Sequence, residues 1–188
     1  MGFFKTLRKE IKMYKANRSY KNKIEYLREK GAVIGDNTKL NCGVAAFGTE
    51  PYLITVGDNC LFAAGLLIFT HDGGVTVLNQ LGYFDGERMD KIAPVKIGDN
   101  VYTGTNVMIM PGVTIGNNVI IGAGAIVSRD IPDNCVAVGV PAKPIKTIDE
   151  YYESAKANNL FYPTVGMNAK DKRAYYEKIF KKSEDNGE

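Results

Sequence analysis

The chain has 188 residues, 45% of them apolar, and a formal net charge of +3. That is enough for one packed domain with appendages, and no apolar run reaches membrane-spanning length. Three cysteines without a CxxC pair read as reduced core or near-core thiols, and with a charged start that shows no signal-peptide pattern the expectation is a cytoplasmic protein.

Residues 3–30 are expected to be helical, ended by Gly31. Phe4, Leu7, Ile11 and Tyr14 fall on one face, and Ile24 and Leu27 make a second short stripe. This arm, residues 1–31 as a unit, carries ten Lys/Arg and three Glu, a charge of +7 that leaves −4 for the remainder. Its stripe is expected to cap the element that follows, with the basic face solvated. The other use of such a face is a weak contact with a membrane surface or an anionic polymer. No nucleic acid is expected as a partner.

A six-residue repeat begins at Ile34. It runs as IGDNTK and LNCGVA, breaks over 46–55, and resumes at 56 as VGDNCL, FAAGLL and IFTHDG. After a second break at 75–96 it runs six times without a gap from 97 to 132. There the first position reads Ile97, Thr103, Ile109, Ile115, Ile121, Val127, and the fifth Val101, Val107, Val113, Val119, Ala125, Ile131. The fifth, sixth and next first positions alternate in, out, in, which is the period of a strand. Positions two to four hold Gly, Asn, Asp and Pro, which suit sharp corners. Each hexad is therefore a very short strand and one corner, and stacking aligns like positions into a continuous core. The frequent Gly and the period of six exclude a helix.

His71, the one histidine of the chain, stands at a corner position, next to the point where the inward pattern fails at Asp72 and the long insertion begins. An imidazole titrates near neutral pH and a rigid stack would position it, so it reads either as a general base or as a surface corner residue without a role. The insertion 75–96 is long for a compact domain and offers Tyr83, Phe84, Asp85, Glu87, Arg88 and Asp90. Aromatic faces with carboxylates suit a sugar, and the same loop would also serve to seal a subunit interface. Residues 148–161 and 169–182 are expected as amphipathic, aromatic-rich helices of a C-terminal extension, 148–188, that packs along the stack or on a neighbour. The tail 183–188 is polar and expected to fray.

The hexads resemble those of the hexapeptide-repeat acyltransferases. This resemblance implies a left-handed parallel β-helix of triangular cross-section over 32–147, with about 18 residues per coil. It is densest in Ile121 through Ile145, which matches the galactoside and maltose acetyltransferase signature IGAGxxVxxDIPxxxxxxGVPAKxI. The arm and the C-terminal extension look more like members that O-acetylate capsular or other surface polysaccharides. The resemblance implies acetyl-coenzyme A as donor and His71, within Thr70-His71-Asp72-Gly73-Gly74, as the base for an acceptor hydroxyl. Asp72 or a group elsewhere would orient the ring. Coenzyme A contacts carry over to Thr105, Ala123, Ser128, Lys143 and Lys146, with the small residues 122–125 admitting the pantetheine arm and the lysines meeting phosphates. Asp72, Tyr83, Asp85 and Arg88 are the candidate acceptor contacts. A homotrimer is implied, with donor grooves between subunits, and no metal is required. A γ-type carbonic anhydrase would need three histidines on zinc, which one histidine per chain does not supply. The remaining alternatives are acetylation of a small molecule such as an antibiotic or serine, although the long helical domain of serine acetyltransferases is absent, and a non-catalytic solenoid scaffold.

Overall fold

The computed structural model describes residues 2–184. They form two compact units, one ending at Tyr151 and one beginning at Tyr152. The first unit is built on three sheets, parallel except for the last strand of the second, that the chain visits in cyclic order. The first sheet holds β1 (Val33–Ile34), β3 (Ile54–Val56), β6 (Val95–Ile97) and β9 (Thr114–Ile115). The second holds β2 (Lys39–Leu40), β4 (Leu61–Phe62), β7 (Val101–Thr103), β10 (Val119–Ile121), β12 (Cys135–Gly139) and β13 (Ala142–Thr147). The third holds β5 (Leu67–Ile68), β8 (Met108–Ile109) and β11 (Ile126–Val127).

Register shows why six residues repeat. Val101 pairs with Val119, Met108 with Ile126 and Ile97 with Ile115, each pair 18 residues apart, so three hexads close one coil. All twelve first- and fifth-position residues of 97–132 are buried, and each apolar one contributes on the order of 1–3 kcal/mol of burial. Main-chain groups pair up the stack: the amides of Gly98, Gly104 and Gly122 donate to the carbonyls of Ile115, Ile121 and Ala137 at 2.8–2.9 Å. Thr103 occupies a first position and is fully buried, and its hydroxyl has no hydrogen-bond partner.

The corner between first and second sheets repeats a second pattern. Asn37, Asn59, Asn100, Asn118 and Asn134 all sit at φ of 55–58°, the left-handed region that Asn tolerates better than other side-chain-bearing residues. Their amides form a ladder, Asn100 to Asn118 at 2.9 Å and Asn118 to Asn134 at 2.8 Å. Beside it, the carboxylate of Asp58 accepts from the Asp36 amide, and that of Asp99 from the Asp58 amide. The cysteines Cys42, Cys60 and Cys135 are free thiols buried in this stack.

The arm is two helices, α1 (Gly2–Ala16) and α2 (Tyr20–Glu29), rather than the single helix expected over 3–30. Ser19 caps α2 by accepting from the Asn22 amide at 3.1 Å, a start signal inside what reads as one continuous pattern. Of the two expected stripes the first does not cap the stack: Leu7, Ile11 and Tyr14 are exposed, and the Phe4 side chain lies outside the described residues. Capping falls instead to Leu27, fully buried, with Ala16, Met13 and Ile24 beside it. In the first coil a 3-10 turn, Val44–Phe47, replaces the third-sheet strand and fills the interior with Phe47.

At its other end the first unit carries the antiparallel β12–β13 pair, joined through a cis Val140–Pro141 peptide, and α4 (Ile148–Ala157) begins there. Thr147 and Glu150 cap that helix reciprocally. It ends before Leu160, where Asn159 turns the chain at φ 52°, so it is shorter than the 148–161 expected. The second unit, described by itself, holds α5 (Ala169–Glu184) and an aromatic cluster of Tyr162, Tyr175, Tyr176 and Phe180, with ring centroids 5.6–6.5 Å apart. The Tyr176 hydroxyl and that of the buried Thr164 lie 2.8 Å apart in a hydrogen bond. Of the tail expected at 183–188, residues 185–188 lie outside the described residues. Among the described residues no helix is long and apolar enough to cross a membrane.

Candidate active site

The two interruptions of the repeat meet. The first, 46–53, leaves the stack after the 3-10 turn and carries Glu50 just before Pro51. The second leaves after β5 and carries Thr70, His71 and Asp72. The Nδ1 of His71 lies 2.9 Å from Oε2 of Glu50. That same oxygen accepts from the buried Thr70 hydroxyl at 2.7 Å, and Oε1 accepts from Thr49 at 2.6 Å. Hydrogen bonds from Thr49, Thr70 and His71, in that order, pull the Glu50 carboxyl down to a pKa of about 2. The Glu50 side chain is 18% exposed and that of His71 is 49% exposed.

An ionised carboxylate can only accept. The proton of the neutral imidazole is thereby held on Nδ1, and Nε2 is left with a lone pair. The ring is half open to solvent, so that lone pair is reachable. Asp72, a candidate partner on sequence, is engaged elsewhere: it accepts from Lys91 at 2.7 Å and from the Gly74 amide at 2.9 Å, contacts that hold its carboxyl below the usual range. Sequence reasoning placed the orienting group only as "elsewhere" and missed Glu50. The available signal was a carboxylate in the first register break, one coil before the histidine that opens the second.

The insertion is more ordered than a surface loop. Residues 70–72 pair antiparallel with 91–93, through the Asp72 amide to the Lys91 carbonyl at 2.8 Å and the Ala93 amide to the Thr70 carbonyl at 2.9 Å. A short helix, α3 (Val75–Gln80), follows, and the Asn79 side chain clasps both main-chain groups of Met89 at 2.9 Å. Two cavities meet at His71. One, of about 290 Å³, takes in Glu50, Asp72, Asp90 and Lys91. The other, of about 150 Å³, runs along the end of β5 past Gly48 and Phe69. Tyr83, Asp85 and Arg88 are exposed residues of the insertion outside both linings.

Of the residues carried over as donor contacts, Thr105 and Ala123 mark a donor corner away from His71. Thr105 and Ala123 stand on adjacent coils between the second and third sheets, where the Gly124 amide donates to the Thr105 carbonyl at 2.8 Å. A Cβ on Gly104 would lie 2.5 Å from the Ala123 amide nitrogen, so only glycine permits the approach. Lys143 pairs with Val138 and Lys146 with Val136 on β13, at the edge of the second sheet. Ser128 follows β11 in the third sheet. The strands of that sheet therefore run between the Thr105–Ala123 corner and the corner where His71 stands.

A model of the bacterial transferase hexapeptide, six repeats, matches residues 94–129. Protein CapG of Staphylococcus aureus is 39% identical over 174 residues, 92% of this chain and 95% of that protein. The galactoside O-acetyltransferase of Escherichia coli strain K12 is 34% identical over 168 residues, covering 78% of this chain and 80% of that enzyme. The chain belongs to the hexapeptide-repeat acyltransferases. A solved galactoside acetyltransferase in complex with coenzyme A superposes on this acyltransferase with a TM-score of 0.52, at 27% identity over 78% of this chain and 82% of that one.

Proposed function

We propose that this acyltransferase moves an acetyl group from acetyl-coenzyme A directly to a hydroxyl of a saccharide, a surface or capsular polysaccharide or its precursor. The observation that carries the reading is the Glu50–His71 pair at the junction of two cavities. Nε2 of His71 takes the hydroxyl proton as the oxygen bonds the thioester carbonyl carbon; the carbon–sulfur bond breaks, and the proton passes to the leaving sulfur. Glu50 keeps the tautomer and steadies the imidazolium between those two transfers. Acetyl-coenzyme A is supported by the coenzyme A complex of the galactoside acetyltransferase. A saccharide is supported by the carboxylates around His71 and by the relative that acts on galactosides.

Thr105, Ala123 and Ser128 are assigned to the pantetheine arm, Lys143 and Lys146 to phosphates, and Asp72, Tyr83, Asp85 and Arg88 to the acceptor. Because the third sheet stands between the donor corner and His71 within one chain, we infer a homotrimer of left-handed, triangular coils in which His71 of one subunit faces the donor cleft of another. A monomer with full turnover in sedimentation would reject this. The exposed Leu7, Ile11 and Tyr14 on a basic helix support a weak contact of α1 with an anionic membrane surface, read as co-sedimentation with anionic but not neutral vesicles. The central test is His71→Ala: turnover falls about 10²–10⁴-fold while affinity for acetyl-coenzyme A holds. An unchanged turnover number removes His71 from the chemistry.

A further inference from the structure

A third cavity, of about 370 Å³, lies between the arm and the first coil, lined by Met13, Tyr26 and Lys30 from the helices and by the turn at 44–51. It is not isolated. Ala45, Gly48 and Thr49 line both this cavity and the one that reaches His71. Thr49 also donates to the Glu50 carboxylate, so whatever fills the cavity lies one hydrogen bond from the pair that bears the base.

Its chemistry differs from that at His71. The cavity at His71 collects Glu50, Asp72 and Asp90 against the cation Lys91, which is bound to Asp72, so its net negative charge suits a neutral, hydroxyl-rich ring and disfavours an anion. Among the described residues the third cavity has no carboxylate in its lining, and Lys30 is the charged residue that lines it, with the Nζ 5.9 Å from the Tyr26 ring centre. The neighbouring Glu29 is paired with Lys12 at 2.7 Å, and Lys30 is its weaker charge neighbour. Tyr26 and Met13 are half-buried and give an apolar wall of the kind that takes the C–H face of a sugar.

We propose that this cavity is a second acceptor subsite, which takes the unit next to the acetylated one in an anionic saccharide, its carboxylate or phosphate set against Lys30. The inference rests on the saccharide reading above and adds to it a length and a charge: the acceptor has at least two units, the neutral one at His71 and the anionic one under α2.

The test is calorimetric binding to the full chain, which is independent of turnover. The probes are a neutral methyl glycoside, glucose 1-phosphate, and a disaccharide that ends in glucuronic acid. The expected result is an anionic probe bound about tenfold tighter than the neutral glycoside, with Lys30→Gln removing most of that preference. Tyr26→Leu should weaken the disaccharide more than the glycoside. A Lys30-dependent gain for the phosphate alone assigns the anion to a sugar phosphate, and for the disaccharide alone to a uronate. Equal affinity for neutral and anionic probes, or a preference that Lys30→Gln leaves intact, overturns the subsite. Acetyl transfer to neutral sugars without an anionic preference sinks the subsite and leaves the O-acetylation reading standing. Lys30-dependent binding without transfer to any saccharide does the reverse.

Discussion

The stack from 95 to 137 and the two interruptions at 46–53 and 70–93 are made from the same chain and obey opposite rules. In the stack every inward position is buried, and apolar except for Thr103. In the interruptions the main chain leaves register, polar side chains bond one another, and Val77, Leu81 and Tyr83 stand exposed. The stack supplies stability and a fixed frame. The interruptions hold the groups to which we assign the chemistry, because there a carboxylate, two hydroxyls and an imidazole converge without being forced into a dry interior.

The contrast is sharpened by matched substitutions. Ile121→Ala in the stack should cost about 2–5 kcal/mol in denaturant unfolding, since the closed coil cannot collapse onto the space. Glu50→Gln should lower turnover about 10- to 100-fold while moving stability much less. It also has a pH signature. The Glu50 carboxyl drops from its ordinary 4.5 to about 2 on folding, so its contribution is complete above pH 4.5 and is lost as pH falls toward 2. Acid unfolding of Glu50→Gln should lack that part of the limb; identical acid limbs would mean that the carboxylate is not held as described.

Glycines give a smaller contrast. Gly104→Ala should cost about 1–3 kcal/mol, because the added methyl meets the Ala123 main chain, whereas Gly73→Ala, with nothing within 4 Å, should be close to neutral. Thr103→Val should stabilise by about 1 kcal/mol, as it exchanges an unpartnered buried hydroxyl for a methyl. Smallest of all, Val77→Ala in the insertion should stay within about 0.5 kcal/mol of the parent. A loss there as large as in the stack would mean that the insertion is part of the folding core.

What the sequence made legible follows the same division. The period of six places the inward residues of 97–132, because a repeat reports its own packing through like positions that stack on like, whereas the 18-residue coil follows from the family resemblance. His71 could be singled out because the pattern fails one residue later. Glu50 could not, because a break in register erases the positional information that a repeat carries, and the contact spans 21 residues across a coil boundary. The arm shows a different limit. Its most regular stripe, Leu7, Ile11 and Tyr14, is exposed, while the less regular Ala16, Ile24 and Leu27 do the packing. Periodicity shows that a face exists and says nothing of what meets it.

The buried cysteines have a practical meaning for anyone who assays this enzyme. Burial pushes the Cys42 thiol up to about 11 and raises those of Cys60 and Cys135, so in the native state none offers a thiolate to a colorimetric disulfide reagent near neutral pH. Such a reagent, added during turnover, would register the sulfur released by the proposed transfer against a silent protein. Added during denaturation, it would count three sulfurs per chain, and so report loss of the same interior that keeps them quiet.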